Sequence, residues 1–201
     1  GVPTNCTELS GITFSYFDLS SASTNYYYYM TFSPALGAAD DDLLSLEFFD
    51  GSGYDGALTG SFTLGQGNEA NYATCSRCVM VRQDALAAGQ VNYFATAGTM
   101  TVSPSSAQMS GSPDVTLTDV TLVQVTVDPT TYVSTPVQQG SCLHLSSATL
   151  AGWMCNPSYS SDLDCDCGCG VVDSACASQT AMCDFCWCGT SCNPSNNAQC
   201  L

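Results

Sequence analysis

Apolar and polar residues alternate with a period of two through most of the first 150 positions. Ile12, Phe14 and Tyr16 are interleaved with Thr13 and Ser15, and Leu44, Leu46 and Phe48 with Ser45 and Glu47. Tyr26 to Phe32 is a run of strand formers. Phe62 and Leu64, Val79 and Val81, then Met100 and Val102 continue the pattern. From Val115 to Val127, Thr alternates with Val and Leu, and Leu143 and Leu145 open a last strand that ends near Leu150. A period of two sends neighbouring side chains to opposite faces, as a half-buried strand requires. Gly, Asp, Asn, Ser and Pro fill the gaps at 51–56, 65–68, 103–114 and 128–139, which reads as turns. Eight or nine such strands predict a mainly β fold, an antiparallel β-sandwich of jelly-roll-like type. One short helical turn is expected around Ala85 to Ala88, and no long helical pattern is present.

The pattern stops at about Gly152. Residues 1–151 therefore read as the β-sandwich domain and residues 152–201 as a small disulfide-rich module. From Trp153 to Leu201 there are few large aliphatic side chains, so this segment must fold through crosslinks or a metal.

Cysteine usage favours crosslinks. The chain of 201 residues has 14 cysteines. Cys6, Cys75, Cys78 and Cys142 lie in the first part. Cys155, Cys165, Cys167, Cys169, Cys176, Cys183, Cys186, Cys188, Cys192 and Cys200 lie in the second. Both counts are even, so each part can close its own bridges. Such a load places a protein in an oxidising compartment, secreted or at the cell surface. A first residue of Gly1 fits an N-terminal segment removed on the way out. Cys75-x-x-Cys78 and Cys183-x-x-Cys186 each look like half a zinc ribbon, but they stand too far apart in the chain for the usual spacing. Apolar runs such as Leu43 to Phe49 fall well short of the roughly 20 residues of a membrane helix, so no membrane insertion is expected.

Charge narrows the partners. Arg77 and Arg82 are the only cations against 18 carboxylates, for a formal net charge of −16. Nucleic-acid binding relies on Lys and Arg at phosphates and is excluded. Anionic membranes are disfavoured on the same ground. Divalent cations are the natural counterions of such a surface.

Asp162, Asp164, Asp166 and Asp173 fall at relative positions 1, 3, 5 and 12. Oxygens at alternate positions, with a last carboxylate closing the cage, are what a calcium loop uses. An EF-hand is not expected, since Cys167 stands where Gly is required and no helices flank the loop. Two readings stay open: a calcium loop framed by disulfides, or aspartates that solvate a cystine-rich knot. Asp40, Asp41 and Asp42 read as a solvated loop before a strand, or as a second calcium site with Asp50 and Asp55.

The string Asp164-Cys-Asp-Cys-Gly-Cys-Gly170, with Cys155-Asn-Pro-Ser-Tyr159 before it and Asp173 and Cys176 after it, resembles Cys-rich modules in secreted proteins of myxobacteria and related predatory bacteria. The stretches Asn71 to Cys78 and Thr118 to Val123 are similar to a domain of the same proteins. The tail is also loosely similar to Lin12–Notch repeats, with different spacing. The first resemblance implies an extracellular location and carries no assigned activity. The second implies calcium.

No catalytic constellation stands out. His144 is the only histidine. It lies between Leu143 and Leu145, so if those are buried it points to the opposite face, as an ordinary surface histidine. No Gly-x-Ser-x-Gly elbow accompanies it. Tyr26, Tyr27, Tyr28 and Tyr29 put two rings on each face of a strand, one pair of which is a possible contact surface for sugars or proteins. The function expected is that of an extracellular structural protein. It would assemble with copies of itself as a filament, coat or appendage subunit, without enzymatic activity. The alternative is a calcium-assisted module that binds carbohydrate or cell-surface proteins.

Overall fold

The computed structural model describes residues 5–19, 26–33, 36, 42–49, 59–85, 89–103, 114–150, 164–167, 169, 175–176, 180, 182–186 and 194. The chain is mainly β. Ten strands form one sheet: β1 (Thr7–Glu8), β2 (Ser10–Leu19), β3 (Tyr26–Ser33), β4 (Leu43–Phe48), β5 (Gly60–Thr63), β6 (Arg77–Gln83), β7 (Val91–Ser103), β8 (Asp114–Val127), β9 (Ser134–Pro136) and β10 (Cys142–Leu150). The order across it is β1-β10-β8-β7-β6-β4-β3-β2, with β5 on β7 and β9 on β8. All pairs are antiparallel except β1 with β10. The described strands thus share one hydrogen-bonded ladder of mixed type. Among the described residues there is a single 3-10 turn, Gly67–Ala70.

One face of this sheet encloses the main core. Leu44, Leu46 and Phe48 of β4, Val79 and Val81 of β6, and Tyr93 and Ala95 of β7 point into it, as alternation dictates. Further along, the inward set changes phase. It continues at Met100 and Val102 on β7, runs from Val120 to Leu117 on β8, and from Leu145 to Ala148 on β10. On β8 and β10 two consecutive residues are skipped where strict alternation skips one, and on β7 the inward set passes from Ala95 to Met100. On β8 the cause is Asp119, held at φ 52°, and on β7 it is Gly98 at φ 116°. Register shifts between β7 and β8 mark the same level. Bulges of this kind raise the local twist of a strand, and both long strands carry one at this level. Gly98 is obligatory, because a Cβ there would come within 2.7 Å of the Val120 Cα.

The opposite face is covered locally. Cys75, Cys78, Met80, Phe94 and Val125 form a second cluster, with Tyr72 packed on it. Tyr72 is the lid: its ring meets Phe49, Phe94 and Tyr132 edge-on, and its hydroxyl donates to Glu47 Oε2 at 2.8 Å. Glu47 is 2 % exposed, yet both its oxygens are satisfied, since Arg82 and Ser45 donate to Oε1. Arg77 lies over the Phe62 ring and pairs with Glu69. Both cations of the chain therefore pair with its own carboxylates.

In the tail, β11 (Asp166–Cys167) and β12 (Phe185–Cys186) form a short parallel pair. Cys165–Cys176 and Cys167–Cys183 are bridged. Cys169 is also disulfide-bonded and sits in the main core cluster. Cys169 thus joins the tail to the core of the sheet. In the sheet region, Cys6 is bridged to Cys142 and Cys75 to Cys78. No described cysteine is free.

Candidate functional site

The N-terminal strand passes from one end of the sheet to the other. Thr7 and Glu8 pair in parallel with Leu143 and His144 of β10, and the Leu9 N–H donates to the His144 carbonyl at 2.7 Å. One residue later the chain is β2 and pairs with β3. Leu9, fully buried, is the switch point. Cys6–Cys142 locks the chain just before it. Beyond the switch the Ser146 N–H of β10 is taken by the Glu8 carboxylate at 3.0 Å, a side chain standing where a strand would otherwise continue. Among the described residues β2 has ladder partners in β3 alone. β2 and the second half of β10 therefore border a seam in an otherwise continuous sheet.

A side-chain cluster marks the start of this seam. Leu143 and Leu145 are buried, so His144 faces outward, as expected from the sequence. There it is bracketed. Its Nδ1 lies 2.5 Å from Glu8 Oε2 and its Nε2 lies 2.9 Å from Asp119 Oδ1. The parallel register places Glu8 beside His144, and the bulge at Asp119 turns a third side chain towards them. The hydrogen bond that His144 donates to Asp119, then that to Glu8, raises its pKa above the ordinary 6.5. The bond to His144 is also the main cause that lowers Glu8 below 4.5. With a carboxylate on each ring nitrogen, the imidazole is built to carry charge and join three strands. Neither Glu8 nor Asp119 stands out in the sequence, because their meeting depends on strand register.

The expected calcium residues are seen in part. Asp164 is exposed, while Asp166 is 1 % exposed on β11. Asp162 and Asp173 lie outside the described residues. Asp184, which the sequence pattern did not single out, organises this region: its Oδ2 accepts from the Cys165 N–H and its own N–H donates to the Cys165 carbonyl. The sulfurs of Cys165, Cys167 and Cys176 lie within 4.8 Å of one another. All three are in disulfides, so they offer no thiolate to a metal. Asp40, Asp41, Asp50 and Asp55 lie outside the described residues. Asp42 is not the solvated residue expected. It is buried and accepts from the Asp84 and Leu36 N–H groups, tying two loops to β4.

The four tyrosines Tyr26 to Tyr29 lie on β3, between β2 and β4. Of the bridges, Cys75–Cys78 closes within its own segment and is not tied to Cys6 or Cys142. Cys186 is disulfide-bonded as well. Cys155, Cys188, Cys192 and Cys200 lie outside the described residues. In comparisons with known proteins, no family, curated protein or solved structure matches the chain.

Proposed function

We propose that the chain is an extracellular structural protein that assembles with copies of itself, the seam along β2 receiving a strand of the next copy. The observation that carries this reading is the edge itself. β2 is ten residues long, and its ladder partners among the described residues lie in β3, from Thr13 to Leu19 with only one register shift. Its sequence, Ser-Gly-Ile-Thr-Phe-Ser-Tyr-Phe-Asp-Leu, contains no Lys, Arg or Pro and a single carboxylate. Long edges are ordinarily guarded by such residues, because an unpaired row of N–H and C=O groups templates another strand. A strand with so few guarding residues from Ile12 to Leu19 suits strand addition.

The disulfides support the same reading, since a crosslinked subunit keeps its shape in an oxidising, exposed setting. The resemblance of the tail to modules of secreted bacterial proteins agrees with that location. Charge sets a condition on assembly. Copies of net charge −16 repel one another, and this repulsion is screened over about 8 Å at physiological salt. Assembly is therefore favoured by salt and by divalent cations, with calcium at Asp162, Asp164, Asp166 and Asp173 as the first candidate.

Ser15→Pro tests the edge. Ser15 is the extra residue at the register shift between Phe14 and Tyr16, so it carries least of the ladder to β3. A proline is tolerated best at such a bulge and removes a donor from the strand. Oxidised protein that sediments as polymer, against a folded Ser15→Pro that stays in solution, is the expected result. Equal sedimentation of the two would exclude β2 as the joint.

A further inference from the structure

The hairpin between β8 and β9 builds a second surface. Its turn runs Asp128-Pro-Thr-Thr-Tyr-Val133. Asp128 Oδ1 accepts the N–H of Thr130 at 2.9 Å, the N–H of Thr131 at 2.7 Å and the Thr131 hydroxyl at 3.0 Å. With proline following it, Asp128 caps one helical turn in the manner of a helix N-terminus. The Tyr132 N–H closes that turn on the Asp128 carbonyl at 2.9 Å. The turn ends with Tyr132 at φ 59°, a left-handed conformation that a bulky residue rarely adopts.

That conformation holds an aromatic ring out of the protein. Tyr132 is 58 % exposed and Val133 beside it 42 %, an unusual pair of large apolar side chains to leave in water. The Tyr132 ring is nevertheless backed, edge-on, by Tyr72 at a centroid distance of 6.4 Å. Tyr72 is fixed in turn by Glu47 and by the Ser134 hydroxyl, which accepts from its N–H. The residues on either side of Tyr132 in the chain, Thr131 and Val133, line a groove of about 570 Å³ together with Thr126, Val127, Asp128 and Thr135.

We propose that this groove binds a neutral saccharide, with Tyr132 as the stacking platform. A sugar ring has an apolar C–H face and a rim of hydroxyls. An exposed, rigidly backed tyrosine fits the first. The threonine hydroxyls and the Asp128 carboxylate, as donors and acceptors, fit the second. Charge fixes the class. Both arginines are committed to Glu69 and Glu47, and Asp128 is an anion whose backbone hydrogen bonds from Thr131 and Thr130 lower its pKa. The groove therefore offers no cation to phosphate, sulfate or uronate groups, and the Asp128 charge repels them. Nor is it a calcium-dependent site: Asp128 is its one carboxylate, and Oδ1 is already taken by the turn.

The test is affinity electrophoresis of the intact oxidised protein through gels containing β-glucan, xylan, galactomannan or dextran, with polygalacturonate as the anionic control. Tyr132→Asn removes the ring and places at φ 59° a residue that adopts this conformation readily. Met182→Ala removes an exposed apolar side chain elsewhere. The proposal expects retardation by at least one neutral polymer, unchanged in chelator and in Met182→Ala. It expects at least a tenfold weakening in Tyr132→Asn and no retardation by polygalacturonate. Absence of retardation by all four neutral polymers overturns it, as does retardation that survives in Tyr132→Asn. Loss of polymerisation rather than of saccharide binding in Tyr132→Asn also overturns it, and makes the hairpin a contact between copies.

Discussion

Cys6 and Cys142 are 136 positions apart and bridged, immediately before the point where Thr7 begins to pair with Leu143. The disulfide holds the N-terminal strand on the last strand of the sheet, so the two ends of the β-region are tied at the seam. A bridge across so long a loop removes a large share of the unfolded chain's freedom. Cys6→Ala with Cys142→Ala is expected to lower unfolding free energy by about 2–5 kcal/mol. Denaturant titration at fixed pH measures it. A change within error would mean that β1 is held without the bridge.

His144 gives the chain a pH signature. Its pKa is raised in the folded state, so the stability it contributes is complete below the unfolded value near 6.5 and is lost as pH rises through the higher folded value. Glu8 works in the other direction. Its folded pKa is lowered, so its contribution is present above about 4.5 and is lost as pH falls through the folded value. Together the bracket is strongest between those two unfolded values. As the only histidine, His144 yields one imidazole titration by proton NMR, with an expected midpoint above 6.5. Asp119→Asn should move that midpoint down. A midpoint at or below 6.5 in the unmodified protein would show that the bracket does not form.

The pair Arg82–Glu47 is buried on the Glu47 side and fully hydrogen-bonded. Arg82→Met leaves a buried carboxylate without its cation, for an expected loss of about 3–5 kcal/mol. Replacing Glu47 as well, by Met, should restore part of the loss, because the uncompensated charge goes too. Thermal unfolding of the two variants distinguishes this from simple loss of packing, in which the double variant would be the worse of the two.

Calcium is tested directly on the tail. Isothermal titration of oxidised, chelator-stripped protein is expected to show uptake that Asp164→Asn weakens at least tenfold. Titration without heat or saturation would leave the aspartates as solvating groups only.

Much of the fold was legible because it rests on period two. The strands around Ile12, Tyr26, Leu44, Phe62, Val79 and Leu143 all lie in the sheet. The first half of β7 was not legible. Val91-Asn-Tyr-Phe-Ala-Thr-Ala-Gly98 lacks clean alternation, since Phe94 and Tyr93 serve opposite faces and the bulge at Gly98 resets the phase. The bulge on β8 was half visible. Val115, Leu117, Val120 and Leu122 break alternation at Asp119, but the run reads as one strand unless that break is taken as a bulge. The joint between β1 and β10 and the Glu8–His144–Asp119 bracket were out of reach. Parallel pairing across the length of the chain leaves no local pattern, and a register is set only by packing. Tyr132 was hidden in a segment whose Asp, Pro and Thr residues spell only a turn.

The measurement that bears most directly on the account is negative-stain electron microscopy of the native, oxidised protein at physiological salt, with and without calcium, beside Ser15→Pro. The account predicts regular fibres or sheets that calcium promotes and that Ser15→Pro abolishes. Discrete single particles under both conditions would contradict it.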